Sequence, residues 1–229
     1  MLEQVKLSSS KAGLIAKLGV LGAVVGALSL SACTLEGSGT AKSELRELDS
    51  FDAIELGGVF TLVVHVAPGT TQKVEVSSDD NIVPKILTTV SGGELDLSVD
   101  HRMVHPEHPM KVEVWVPSLT KIDASGASKI EVTGLHGERF ELDLSGASQS
   151  TLAGVVDHFE LDSSGAAKLE ARALQATTVE LDLSGAGHAE VWASDRLDAE
   201  VSGAGKVRYW GDPKQVNRDV SGSGSVEPG

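Results

Sequence analysis

The sequence predicts an all-β chain wound into a single-stranded parallel β-helix, a solenoid whose coils take about 19 residues. Three observations predict it. Ser-Gly-Ala recurs from positions 125, 145, 164, 184 and 202, with a Ser-Gly-Ser variant from 221, so the repeat step is 18 to 20 residues. Around each serine the residues alternate: Ile122, Leu142, Leu161 and Leu181 stand three before it and Ala124, Leu144 and Leu183 one before it, while Asp123, Asp143, Asp162, Asp182, Glu200 and Asp219 stand between. That is the period of a half-buried strand, one face apolar and the other acidic. Finally, no amphipathic helix of useful length follows residue 32, so the repeats have no crossover helices and must stack directly on one another. A propeller blade would need about 40 residues, and a leucine-rich repeat its Asn or Cys ladder.

Taken in order, residues 1–32 read as an export signal. Lys6, Lys11 and Lys17 make a basic region, Leu18 to Leu30 an apolar one, and Leu30-Ser31-Ala32-Cys33 follows. The uncharged run ending at Ala32 falls short of the roughly 20 residues a membrane-spanning helix needs. The last four residues resemble the lipobox of bacterial lipoproteins, which implies that the signal is cut before Cys33, that Cys33 carries a diacylglycerol on its thiol and that its new amino group is acylated. Thr34 follows, where an aspartate would favour retention at the inner membrane in the enterobacterial pattern, so the expected address is the outer membrane, on its periplasmic or surface side. Cys33 is the single cysteine, so no disulfide is available to an exported chain.

Cleavage takes three lysines and one glutamate, so 19 basic and 33 acidic residues become 16 and 32, a net charge of −16. A surface this acidic repels phosphate, which argues against a nucleic-acid partner. Residues 33–48 contain Gly37-Ser38-Gly39-Thr40 and are expected to be a flexible tether, with the β-helix domain over 49–229.

Within that domain, residues 51–58 fit the repeat as a first coil, with Ile54 and Leu56 inward and Glu55 in the acidic column. Thr61 to Val66 and Lys73 to Val76 are β-branched runs separated by Pro68-Gly69, two strands and a turn. Asp79-Asp80-Asn81 suggests a turn with one helical turn after it, and Glu94 to Ser98 again resembles the repeat strand. Residues 101–110, with two prolines, read as an inserted loop, and from Lys111 the alternation returns as Val112, Val114 and Val116. In the regular coils, glycine one after the serine and a small residue three after it mark a corner without room for side chains. Arg218, in the inward column, and the run Ser221-Gly222-Ser223-Gly224-Ser225 predict that the stack weakens at its end. With Pro213 and Pro228, Arg218 would blunt the terminal strand and keep the chain a monomer.

The run from Phe51 through Ile54-Glu55-Leu56-Gly57-Gly58, the turn at Asp79-Asp80-Asn81-Ile82, Gly93-Glu94-Leu95 and the stacked Ser-Gly-Ala copies together resemble the bacterial family named "putative auto-transporter adhesin head GIN domain", over about residues 49–227. The resemblance implies a right-handed β-helix in an exported, often lipid-anchored protein, and it transfers no functional residues.

Three candidate sites remain. The acidic columns are a solvated face, or carboxylates at Asp143, Asp162 and Asp182 that divalent cations would bridge. His101, His105 and His108, with Asp100 and Glu107, are the zinc-type side chains, on a loop that does not set tetrahedral geometry by itself. Trp192 and Trp210, one coil apart and outward, are a cap with Tyr209 or a stacking platform for a sugar ring. For catalysis the sequence has no nucleophile elbow, phosphate-binding glycine loop or zincin motif. No cofactor is called for, and lipidation at Cys33 is the one site assigned. The function expected is a non-enzymatic, lipid-anchored adhesin or envelope-binding module with a glycan or envelope protein as partner; the alternatives are a polysaccharide-active enzyme and a structural spacer.

Overall fold

The computed structural model describes residues 34–101 and 103–229, so the signal peptide and Cys33 lie outside the described residues. The early strands are β1 (Thr34–Glu36), β2 (Ala41–Arg46), β3 (Ala53–Gly58), β4 (Thr61–Val66), β5 (Lys73–Asp79), β6 (Ile86–Ser91), β7 (Glu94–Val99), β8 (Met103–His105), β9 (Lys111–Val116) and β10 (Lys121–Gly126). The regular array follows as β11 (Lys129–Gly146), β12 (Gln149–Gly165), β13 (Lys168–Gly185) and β14 (His188–Gly203), each bent around a whole coil. It ends in β15 (Lys206–Trp210), β16 (Gln215–Gly222) and β17 (Ser225–Pro228). The expected helical turn is a 3-10 turn at Val83–Lys85.

Two long parallel ladders run the length of the stack. The first joins β7, β3, β10, the C-terminal parts of β11 to β14, and β16. The second joins β9, β4, the N-terminal parts of β11 to β14, β15 and β17. Side chains predicted inward are inward: Ile122, Leu142, Leu161 and Leu181 are buried, as are Ile130, Leu169 and Val207 from the opposite ladder. Each fully buried leucine or isoleucine contributes on the order of 2 kcal/mol. The core is aliphatic and narrow, and its largest rings, Phe140 and Phe159, stack on adjacent coils with centroids 6.2 Å apart.

The Ser-Gly-Ala corner repeats without change of geometry. Gly146 has φ +119°, and the Ala147 N–H donates to the carbonyl of Gly126 in the coil below at 2.8 Å. A Cβ on Gly146 would lie 2.3 Å from that same carbonyl oxygen, so glycine is required both by backbone conformation and by the closeness of the neighbouring coil. The serine before it points to solvent.

Three expectations need correction. The coil of β3 and β4 is not the first in space: it lies between the coil of β7 and β9 and the coil that begins with β10, so chain order and stacking order differ here. The cause is a chain reversal after β4, since β5 returns antiparallel to β9, and β6 pairs antiparallel with β7. Second, the segment expected as a tether is built into the fold. β1 pairs with β8, and β2 lies antiparallel on β5. Gly37 is there for close approach rather than slack, because a Cβ would come 2.4 Å from Asp79 Oδ2. Third, the last coil does not dissolve. β16 stays in register with β14 and β17 with β15, and the Arg218 guanidinium turns aside to donate to the carbonyl of Val226 at 3.0 Å.

Candidate interaction face

The first ladder brings one carboxylate from each of eight strands into a single row: Asp96, Glu55, Asp123, Asp143, Asp162, Asp182, Glu200 and Asp219 are consecutive cross-strand partners. With a strand spacing of about 4.8 Å the row is roughly 34 Å long. A second row beside it holds Lys121, Glu141, Glu160, Glu180 and Asp198. On the other side stands a ladder of serines, Ser125, Ser145, Ser164, Ser184, Ser202 and Ser221. From β7 through β14, buried apolar side chains at alternate positions hold the strands in place from below, so the outward side chains have no choice of face.

Neutralising groups reach the outer row more than the central one. Lys121 bridges Glu141 at 2.5 Å and Asp143 at 2.7 Å, which holds its ammonium well above the usual lysine range. Arg139 engages Glu160, and Arg196 engages Asp198. Among the described residues no cation pairs with Asp162. Partial burial pushes its carboxyl above the ordinary aspartate value, and the charges of Asp143 and Asp182 push it further. Asp123 is raised in the same way, by burial first and Asp143 second.

The second ladder differs in its electrostatics. Pairs form within its outward rows, Lys111 with Glu113 at 2.7 Å and Lys168 with Glu170 at 2.6 Å, and His188 Nε2 lies 3.5 Å from Glu190; on β5, antiparallel to β9, Lys73 pairs with Glu75 at 3.0 Å. The hydrogen bond from Lys111 leads in holding the Glu113 carboxyl below its usual range, and Lys168 does the same for Glu170. One broad side of the solenoid therefore sets bases beside acids, whereas the central row of the other is carboxylates throughout.

The remaining candidates have structural partners. His108 Nδ1 lies 2.9 Å from Asp79 Oδ1, and Asp79 is wholly buried. Burial alone would raise the Asp79 carboxyl, but His108 and backbone N–H groups of Glu107, His108 and Gly39 bring it below its usual value. That carboxylate clasps the N-terminal segment to the 101–110 loop, and nothing in its local sequence marks it, because its partners are 28 to 40 residues away. His105 pairs with Glu36 at 3.4 Å. Among the described residues no three such side chains converge on a metal position. Trp192 and Trp210 are cross-strand neighbours, as expected, but Arg172 lies over the Trp210 ring at 4.1 Å, and Gly211 and Gly229 sit against the two indoles. This is a covered patch rather than an open platform. The sequence reading missed a second aromatic row, in which Lys73 lies over Trp115 and Trp115 stacks on His65 with centroids 5.3 Å apart. Register across β5, β9 and β4 makes it, and register is not visible when strands reverse.

Chemically, the carboxylate rows can accept hydrogen bonds from ammonium, guanidinium or sugar hydroxyl groups along an open surface. The acceptors differ in strength along the surface, since Asp123 and Asp162 are raised by burial and like charge while Glu141 in the neighbouring row is lowered by Lys121.

Residues 50–213 match the family model described as "Putative auto-transporter adhesin, head GIN domain". Among solved structures, one described as a putative adhesin from Bacteroides fragilis is 22% identical, with a TM-score of 0.69 over 85% of this chain and 99% of that one. Another so described, from Parabacteroides distasonis, is 23% identical with a TM-score of 0.56, over 86% of this chain and 100% of that one. A third from the same species, described as a putative lipid binding protein, is 18% identical with a TM-score of 0.52, over 86% of this chain and 99% of that one. These likenesses bear on fold. No curated protein matches the chain.

Proposed function

Since the chain belongs to the family of auto-transporter adhesin head GIN domains, we propose that it is a non-enzymatic binding module of the cell envelope, anchored by lipid at Cys33 to the outer membrane. The observation that carries the reading is the contrast between the two broad sides of the solenoid, one setting bases beside acids and the other presenting eight carboxylates in a row beside a serine ladder. A long, open, repetitive surface suits an extended glycan or envelope protein better than a small substrate. No helix among the described residues is long and apolar enough to cross a membrane, in keeping with a lipid anchor. The module acts as a monomer, its outermost antiparallel strand β2 blunted by Lys42, Glu44 and Arg46.

Binding of the lipoprotein to a glycan array and to separated envelope proteins tests the reading. Replacing Asp143, Asp162 and Asp182 together with asparagine is expected to abolish the strongest signal, and replacing Lys129, Lys168 and Lys206 with glutamine to leave it. Equal binding by both variants would remove the carboxylate side from consideration. The anchor is tested separately: Cys33→Ser is expected to release the protein from carbonate-washed membranes, since stable attachment depends on the acyl chains.

A further inference from the structure

The end of the stack where the chain enters carries an apolar surface that the adhesin reading leaves unused. Of the six large apolar side chains that are exposed among the described residues, four lie at this end: Val59 at the corner between β3 and β4, Met103 on β8, and Leu45 and Leu87 on the outermost strands β2 and β6. Val59 is 63% exposed and Met103 48%. Between these two opens a pair of adjoining clefts that share Val59, Val104 and Met110 as a common wall, with Pro106 and Pro109 on one side and Val99 on the other. Both are lined more by apolar than by polar surface, whereas the grooves along the carboxylate rows are the reverse.

The pairing of β1 with β8 says what covers this surface. Thr34 is the cross-strand partner of Met103, and Leu35 that of Val104. The anchor residue is thus joined directly to a strand whose neighbour, β8, supplies Met103 and Val104 to the cleft walls. We propose that this apolar corner is a membrane-docking surface, in which Val59 and Met103 enter the interfacial layer of the same bilayer that holds the acyl chains of Cys33. The proposal rests on the lipid-anchor reading. The acyl chains of Cys33 hold the protein on the bilayer, and the apolar corner gives that anchor a second contact that fixes how the stack is oriented on it. Docking also explains why apolar side chains in a surface so rich in charge gather where the anchor emerges. The stack then stands on its entry end, with the carboxylate rows rising from the lipid headgroups.

Because lipidation occupies the native cysteine, Val59→Cys, Met103→Cys and, as an aqueous control on β12, Gln149→Cys each offer one free thiol for a nitroxide label. The labelled full-length lipoprotein is incorporated into vesicles of phosphatidylethanolamine and phosphatidylglycerol. Collision rates with oxygen, which concentrates in lipid, and with a water-soluble nickel chelate are then measured. The expected result is an oxygen-to-nickel ratio several-fold higher at 59 and 103 than at 149. Equal ratios at all three sites, with the lipid mass present on the N-terminal peptide, overturn docking and leave the anchor standing. An N-terminal peptide without lipid overturns both. Shielding from both relaxants would mean that the anchor's own acyl chain fills the clefts, and spin–spin broadening lost on dilution with unlabelled protein would mean a second copy does. Either result overturns the proposal.

Discussion

At Gly146 a single hydrogen atom decides whether two coils can touch. Valine there meets the carbonyl of Gly126 at 2.3 Å and must also hold φ +119°, so Gly146→Val is expected to cost roughly 1 to 3 kcal/mol or more. Gln149→Val, at an exposed position on β12, is expected to change little. Urea midpoints decide it, and equal midpoints would refute the corner's role. This glycine was legible because it repeats: the same residue type returns at the same step, next to the same neighbours. Asp79 was not legible, because a residue that occurs once and bonds to Gly39, Glu107 and His108 leaves no periodic trace. The corner serines show the limit between the two cases. Ser128 Oγ donates to the carbonyl of Gly58, whereas Ser148, at the same place one coil on, is buried with no partner for its hydroxyl among the described residues. The same alignment column gives no hint of that difference.

The carboxylate row is a property of the ladder, since no one strand has more than one member of it. Neighbours about 5 Å apart repel by on the order of 1 kcal/mol in water, less in salt. The sign of the pH dependence follows from the shifted groups. Asp162 and Asp123 titrate above the ordinary 3.8 in the fold, so their repulsion is fully present at neutral pH and is relieved as pH falls through the folded value toward 3.8. Glu113 and Glu141 are shifted down, so what they contribute is present above the ordinary 4.5 and is lost as pH falls through their lower folded values. Asp162→Asn is therefore expected to raise the thermal midpoint at pH 7 in low salt. The gain should shrink in high salt and near pH 4. A lower midpoint at pH 7 would mean that a bound cation is using the carboxylate. Period-2 alternation made these rows readable in advance, as far as the strands are parallel and in sequence. The Lys73, Trp115 and His65 row was hidden because β5 and β9 run antiparallel, so the spacing that aligns other coils does not align these.

For the molecule as a whole, the class of fold and its regular half were open to reading, and its entry end was not. From β10 onward each coil rests on the one before it in sequence, so alignment of the repeats is alignment in space. At the entry end, β10 returns to pair with β3 across a long stretch of intervening chain, and the 34–48 segment is recruited to strands by contacts with residues that a local reading cannot supply. Composition alone made that segment a tether, yet Gly37 packs closely against Asp79 and the Gly39 N–H donates to its carboxylate.

The same inversion of order decides where the chain can change length. Excising residues 147–165 joins Gly146 to Ala166, which takes the place of Ala147 at an identical corner, and every ladder closes up by one rung. Duplicating that stretch lengthens the stack by the same logic. Removing the coil of β3 and β4 closes nothing, because the strands on its two sides belong to chain segments that approach from different directions. Insertions and deletions of whole units are thus free to accumulate in one half of the protein while the other half stays fixed, so descendants of such a sequence can vary in height without losing their footing.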